Sequence, residues 1–178
     1  MAGKFVQILL STMDANLPLT AASQPSFPWL SLIVLLPATG SLVIPLLPGK
    51  DKEESNLPRN IAITFLIADF LLIVGVIARL FNNQIPGIQL TERVSWIPLI
   101  GLEWSLGIDG ISAPLVVLSG LVTLLSALAS WNLRSKTKLY FALLLVQASA
   151  QGLVFLSQDF LLFFLAWELE LVPVYLLI

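Results

Sequence analysis

Residues 158–178 read QDFLLFFLAWELELVPVYLLI. After Asp159 the run is almost wholly apolar for about the 20 residues a helix needs to cross a bilayer. Two carboxylates, Glu168 and Glu170, interrupt it, and Pro173 follows them. Glu168 lies nine residues beyond Asp159, which is about 13 Å along a helix. That is close to the midplane of a hydrocarbon core about 30 Å thick. An ionised acid at that depth costs roughly 2.5 to 3.5 kcal/mol on insertion scales. Desolvation disfavours the charged form of a carboxyl, and a nearby cation favours it. A carboxyl between those two influences can take up and release a proton. Glu170 sits about 200° around the helix from Glu168, so the two cannot share one face. Pro173 removes the donor for the carbonyl of Leu169 and loosens the helix around both acids.

The rest of the chain has the same character. Of 178 residues, 57% are hydrophobic and 11% charged, less than half of the roughly 25% charge usual in soluble domains. The chain therefore falls in the membrane class. A net charge of -2 gives no basic footprint for nucleic acid. With neither Cys nor His, disulfides, thiolate clusters, the usual zinc sites and His-ligated haem are excluded. No glycine-rich phosphate-binding pattern occurs. Any chemistry must run on carboxylates, a few Lys and Arg, amides and hydroxyls.

Outward from residues 158–178, four more spans are expected, at about 27–47, 60–80, 112–131 and 139–157, with the fifth at 159–178. Pro37 and Pro45 lie inside the first, as is tolerated where neighbouring helices satisfy the freed backbone. Asp69 lies near the middle of the second. It is a further candidate proton site, or a group that simply bonds another helix. Asp109, Ser112 and Pro114 are start signals for the third span. In LEWSLGID, residues 102–109, apolar and polar residues alternate, and QLTERVSW, residues 89–96, does so more weakly. That period suits a β-hairpin outside the bilayer, with an irregular loop as the alternative. The expected fold class is an all-α polytopic membrane protein: four complete helices, a truncated fifth, and the hairpin between the second and third.

Two short connections carry Lys and Arg, with Lys50, Lys52 and Arg59 in one and Arg134, Lys136 and Lys138, with no acid, in the other. By the positive-inside rule both are cytoplasmic, with the N-terminus and hairpin outside. Residues 1–26 read as an N-terminal extension ahead of a transmembrane domain at 27–178. Small residues recur at four-residue spacing, at Ser119, Thr123 and Ala127 and at Ala148 and Gly152, which lets helices approach closely in lipid. Gln147, Ser149 and Gln151 crowd the fourth span. Interhelical hydrogen bonding explains them more simply than a hydrated interior does.

With these residues in view, the sequence resembles a known family. The run at 158–178 closely resembles the fifth transmembrane segment of chain 4 of NAD(P)H-quinone oxidoreductase. That is the antiporter-like subunit of the NDH-type complex I of cyanobacteria and plastids. The stretches FPWLSLIVLLPATGSLVIPLLP, EWSLGIDGISAPLVVLSGLVTLLSALASW and KLYFALLLVQASAQGLVFLSQD agree with it as well. The resemblance covers about residues 27–178. It implies that this is the N-terminal part of a much longer protein, cut inside its fifth helix. It implies that Glu168, after Trp167, is a proton-translocation residue, modulated by a lysine on a seventh helix beyond Ile178. Glu170 is less secure, because relatives outside the photosynthetic group often lack that acid. It implies no redox centre on this chain. NAD(P)H or ferredoxin and plastoquinone would be used by partner membrane subunits, in a thylakoid membrane. A cation/proton antiporter or a hydrogenase membrane subunit of the same fold, and an inactive or assembly-only fragment, are the competing expectations.

Overall fold

The computed structural model describes residues 27–47, 56–133 and 136–177. The expected N-terminal extension, together with Lys50, Lys52 and Arg134, lies outside the described residues.

Five apolar helices form in chain order: α1 (Trp29–Leu46), α2 (Leu57–Leu80), α3 (Ser112–Ala129), α4 (Thr137–Leu156) and α5 (Phe160–Leu177). Each is long and apolar enough to cross a membrane, so the chain is an integral membrane protein. Two strands, β1 (Gln89–Ile97) and β2 (Leu102–Ile108), lie between α2 and α3. They pair antiparallel, with Arg93 opposite Ser105 and Val94 opposite Trp104. The runs at 89–96 and 102–109 therefore do form the hairpin expected of them. Irregularities flank the regular pairing. At one of them Leu90 adopts a positive φ of 54°, and a bulge re-aims the side chains that follow.

The hairpin fixes one end of the bundle. Glu92, on β1, reaches the start of α1. Its Oε1 accepts the Leu30 N–H at 2.7 Å, and its Oε2 accepts the Ser31 N–H at 2.9 Å and the Ser31 hydroxyl at 2.6 Å. The Trp104 indole N–H, on β2, donates to the same hydroxyl at 2.8 Å. The first N–H groups of a helix have no intrahelical partner, and the helix dipole favours an anion there. Asp109 caps α3 in the same way: its Oδ1 accepts the Ser112 N–H at 2.7 Å, while the Asp109 N–H donates to the Ser112 hydroxyl at 2.9 Å. This reciprocal pair is a capping box, and the Ser112 backbone bond holds the Asp109 carboxyl below its ordinary range. Asp159 caps α5 through Leu162 N–H at 2.9 Å. At the α4–α5 turn the Gln158 N–H donates to the Ser105 carbonyl at 2.8 Å, tying that turn to β2.

The opposite end is held by cations. The Arg59 guanidinium stacks 4.0 Å over the Trp131 ring and donates to the Trp131 carbonyl at 2.9 Å. Lys138 donates to the Leu47 carbonyl at 2.9 Å. Cations are favoured where helices expose C-terminal carbonyls. The helices thus run up and down, with α1, α3 and α5 starting at the hairpin end.

The interior forms two apolar clusters. One lies under the hairpin and gathers Leu30, Leu102, Leu106, Leu156 and Leu162. The other lies toward the cationic end around Ile44, Leu66, Phe141 and Leu145. Close approach has a specific cause at Gly40, where any Cβ would stand 2.8 Å from the Phe65 ring and 3.1 Å from Leu145. Pro37, inside α1, leaves a loosened turn, and Ser149 from α4 donates to the neighbouring Val34 carbonyl at 2.7 Å.

Candidate functional site

A belt of polar side chains crosses the bundle at mid-depth. From the hairpin end, Glu168 lies eight residues into α5, Gln147 nine residues into α4 and Asp69 eleven residues into α2. These are depths of about 12 to 17 Å, near the centre of a core about 30 Å thick.

Asp69 is buried, at 5% exposure. It faces a small cavity whose wall also includes Ser119, Gly120 and Thr123 of α3 and Ala148 and Gly152 of α4. The spaced small residues make this space: at Ala148, Gly152 and Gly120 no long side chain fills it. The cavity offers about 10 Å³ to the centre of a water molecule. Asp69 Oδ1 is buried and meets no hydrogen-bond donor among the described residues.

From that cavity the polar groups continue through α4. Ser119 donates to Gln151 Oε1 at 2.9 Å. Gln151 and Gln147 are four residues apart, hence neighbours on one helix face. Gln147 Nε2 donates to Glu170 Oε1 at 2.8 Å, while its Oε1 is buried without a partner among the described residues. Gln147, Ser149 and Gln151 all serve interhelical hydrogen bonds, as the simpler sequence reading expected.

Helical geometry separates the acids of α5. Glu170 turns inward to α4, whereas Glu168 is exposed on the outer side of the five-helix unit. Around it Phe164, Leu165, Leu171 and Val172 are also exposed. The structure thus brings Glu170 into the polar belt, places Asp69 at its far end, and sets Glu168 apart from both. No sequence feature ranks these faces, because α5 is apolar all round and carries no stripe to orient it. Ser119 and Gln151 both stand out in the sequence, one for its small size and one for interhelical bonding, but not as partners of each other. No group of acids among the described residues could hold a metal ion.

The chain is 52% identical over 152 residues to NAD(P)H-quinone oxidoreductase chain 4 1 of Synechococcus elongatus, covering 85% of this chain and 28% of that protein. It is 48% identical over 153 residues to chain 4 2 of Microcystis aeruginosa, covering 86% and 27%. To chain 4 of Prochlorococcus marinus it is 45% identical over 169 residues, covering 95% and 30%. The chain therefore spans less than a third of the length of these relatives. No family model matches the sequence. Among solved structures, a chain of the membrane-bound sulfane sulfur reductase, an archaeal respiratory membrane complex, matches with a TM-score of 0.66 at 20% identity. The match covers 83% of this chain and 22% of that one, and shows a shared fold. The resemblance read from the sequence to NAD(P)H-quinone oxidoreductase chain 4 is real.

Proposed function

We propose that this chain, a relative of NAD(P)H-quinone oxidoreductase chain 4, is part of the proton-translocating membrane subunit of such a complex. NAD(P)H or ferredoxin delivers electrons to plastoquinone in partner subunits, and the energy released moves protons through this one. The membrane is the thylakoid, with the hairpin end toward the lumen. The observation that carries this reading is the conjunction of 45–52% identity over nearly the whole chain with carboxylates at mid-depth in its helices.

Glu168 is the reversible proton carrier. It stands on an uncovered face of α5, and a carboxylate turned to hydrocarbon is costly. The relatives are more than three times longer, so their further helices have the length to cover that face and set a cation against it. A cation at that position favours the carboxylate, and its withdrawal favours the neutral acid. Such alternation loads and unloads one proton per cycle.

Glu168→Gln in the complete subunit tests the reading. Gln keeps the size and removes the titration. The expected result is an assembled complex that reduces quinone when uncoupled and pumps few protons. Unchanged pumping in an assembled complex would overturn the assignment.

A further inference from the structure

We propose that Asp69 is a second proton-binding site, inside the bundle and separate from Glu168, which exchanges its proton through one water held by the Ser119 and Thr123 side chains. This deepens the proton-translocation reading and rests on it.

Asp69 is a carboxylate with nothing to balance it among the residues that line its cavity. Asp69 is 95% buried by its 5% exposure, and Oδ1 has no donor among the described residues. The cavity wall is drawn from α1, α2, α3 and α4, through residues such as Ile33, Leu66, Val116 and Ala148. Asp69 itself is the one titratable or charged side chain among the residues lining it. An ionised carboxylate there would have neither a counter-charge nor a full set of hydrogen bonds, which is expensive. A neutral acid needs only one acceptor for its proton.

The cavity supplies that acceptor. About 10 Å³ for a water's centre is at the lower limit for holding one molecule, which also needs two to four polar partners. Asp69, Ser119 and Thr123 are three. Both hydroxyl protons are already committed, Ser119 to Gln151 at 2.9 Å and Thr123 to the Ser119 carbonyl at 2.9 Å. Their oxygens keep lone pairs free, and both residues line the cavity, so a water there can accept a hydrogen bond from the neutral Asp69 carboxyl and donate one to each hydroxyl oxygen; on release that water carries the proton away. Uptake adds one proton to Oδ1 and removes one negative charge, and release reverses both.

Ser119 links this site to the other interior acid. With Asp69 neutral, its hydroxyl donates to Gln151, as observed. With Asp69 ionised, the carboxylate on the same cavity wall competes for that donor through the water and frees Gln151, a turn away from the Gln147 that holds Glu170. Ser119 is thus a positioning residue, and its hydroxyl reports the charge on Asp69 toward Glu170.

The test uses the whole complex, with its complete subunit, reconstituted in liposomes carrying a pH dye. Protons moved per electron are read for Asp69→Asn, Ser119→Ala, Ser119→Thr and Glu168→Gln, with uncoupled quinone reduction as the control for assembly. The expected result is a lowered ratio for Asp69→Asn and Ser119→Ala, a native ratio for Ser119→Thr, and native uncoupled rates throughout. A native ratio in assembled Asp69→Asn or in Ser119→Ala overturns the proposal, as does equal loss in both Ser119 variants. If Asp69→Asn does not assemble, the two Ser119 variants decide by the same criteria. If Glu168→Gln also pumps normally, the functional reading itself fails. If only Glu168→Gln is impaired, that reading stands and the Asp69 site falls.

Discussion

Glu92→Ala removes the contact that seats the hairpin on α1, and its cost can be worked from the atoms involved. The carboxylate accepts from the Leu30 and Ser31 N–H groups and from the Ser31 hydroxyl. Leu30 is fully buried, so water cannot replace its acceptor. A buried donor left unpaired costs about 1 to 3 kcal/mol. Ser31 is half-buried, and its groups can turn to water or to one another. Their net loss is then near that of an ordinary N-cap, about 1 kcal/mol. The sum is about 3 kcal/mol for opening the first turn of α1. At 1.4 kcal/mol per tenfold, that is an acceleration of about a hundredfold. Amide hydrogen exchange of the whole complex, read by mass spectrometry on the peptide carrying the start of α1, measures it directly. Glu92→Gln recovers little, because one oxygen becomes an amide N–H₂ set against a donor. Native exchange at the start of α1 in Glu92→Ala would refute the claim that this carboxylate holds the hairpin and the helix together.

Gly40→Ala forces a methyl to within 2.8 Å of the Phe65 ring and 3.1 Å of Leu145. Overpacking of this kind costs about 1 to 3 kcal/mol, so the melting temperature of the detergent-solubilised complex falls, and Phe65→Leu restores part of it. An unshifted melting temperature in Gly40→Ala would show that α1 and α2 are not packed this closely. Asp109 has its carboxyl held below the ordinary range by the Ser112 backbone N–H. Its capping contribution is therefore complete above the unfolded value of about 3.9 and is lost as pH falls through the lower folded value. Exchange at the start of α3 is expected to accelerate in acid below about pH 4, and Asp109→Asn to abolish that dependence. A start of α3 with the same acid sensitivity in Asp109→Asn would contradict it.

Much of this fold was legible because each decisive signal was local. Long apolar runs and the Asp109–Ser112 pair put the helix ends within about three residues of the observed ones. The hairpin showed through period-two alternation across residues 102–109. What resisted reading was the direction in which each helix faces. A helix that is apolar all round has no stripe, so Asp69 and Glu168 look alike in sequence, yet one is buried and the other exposed. Glu92 was hidden for a related reason. Nothing local separates it from Glu103, also on the hairpin. Only the bulge near Leu90, which fixes the pairing of Glu92 with Leu106, brings its side chain beneath α1.

The acids of this chain fall into two physical groups. Glu92, Asp109 and Asp159 sit at the starts of α1, α3 and α5, where orphan N–H groups and the helix dipole make an anion favourable. Their retention is explained by stability alone. Asp69, Glu168 and Glu170 sit at mid-span, where no helix end compensates them. Among the described residues, one amide N–H from Gln147 is the hydrogen bond these three acids receive. At Asp69, buried without a partner among the described residues, an apolar residue of similar volume would serve packing better, since buried charge replaced by well-packed hydrophobic groups is often neutral or stabilising. The mid-span acids therefore call for a reason other than stability. A carboxyl kept where its charge is uncompensated is one whose protonation state responds strongly to a neighbouring charge, and that responsiveness is the property a proton-moving subunit requires.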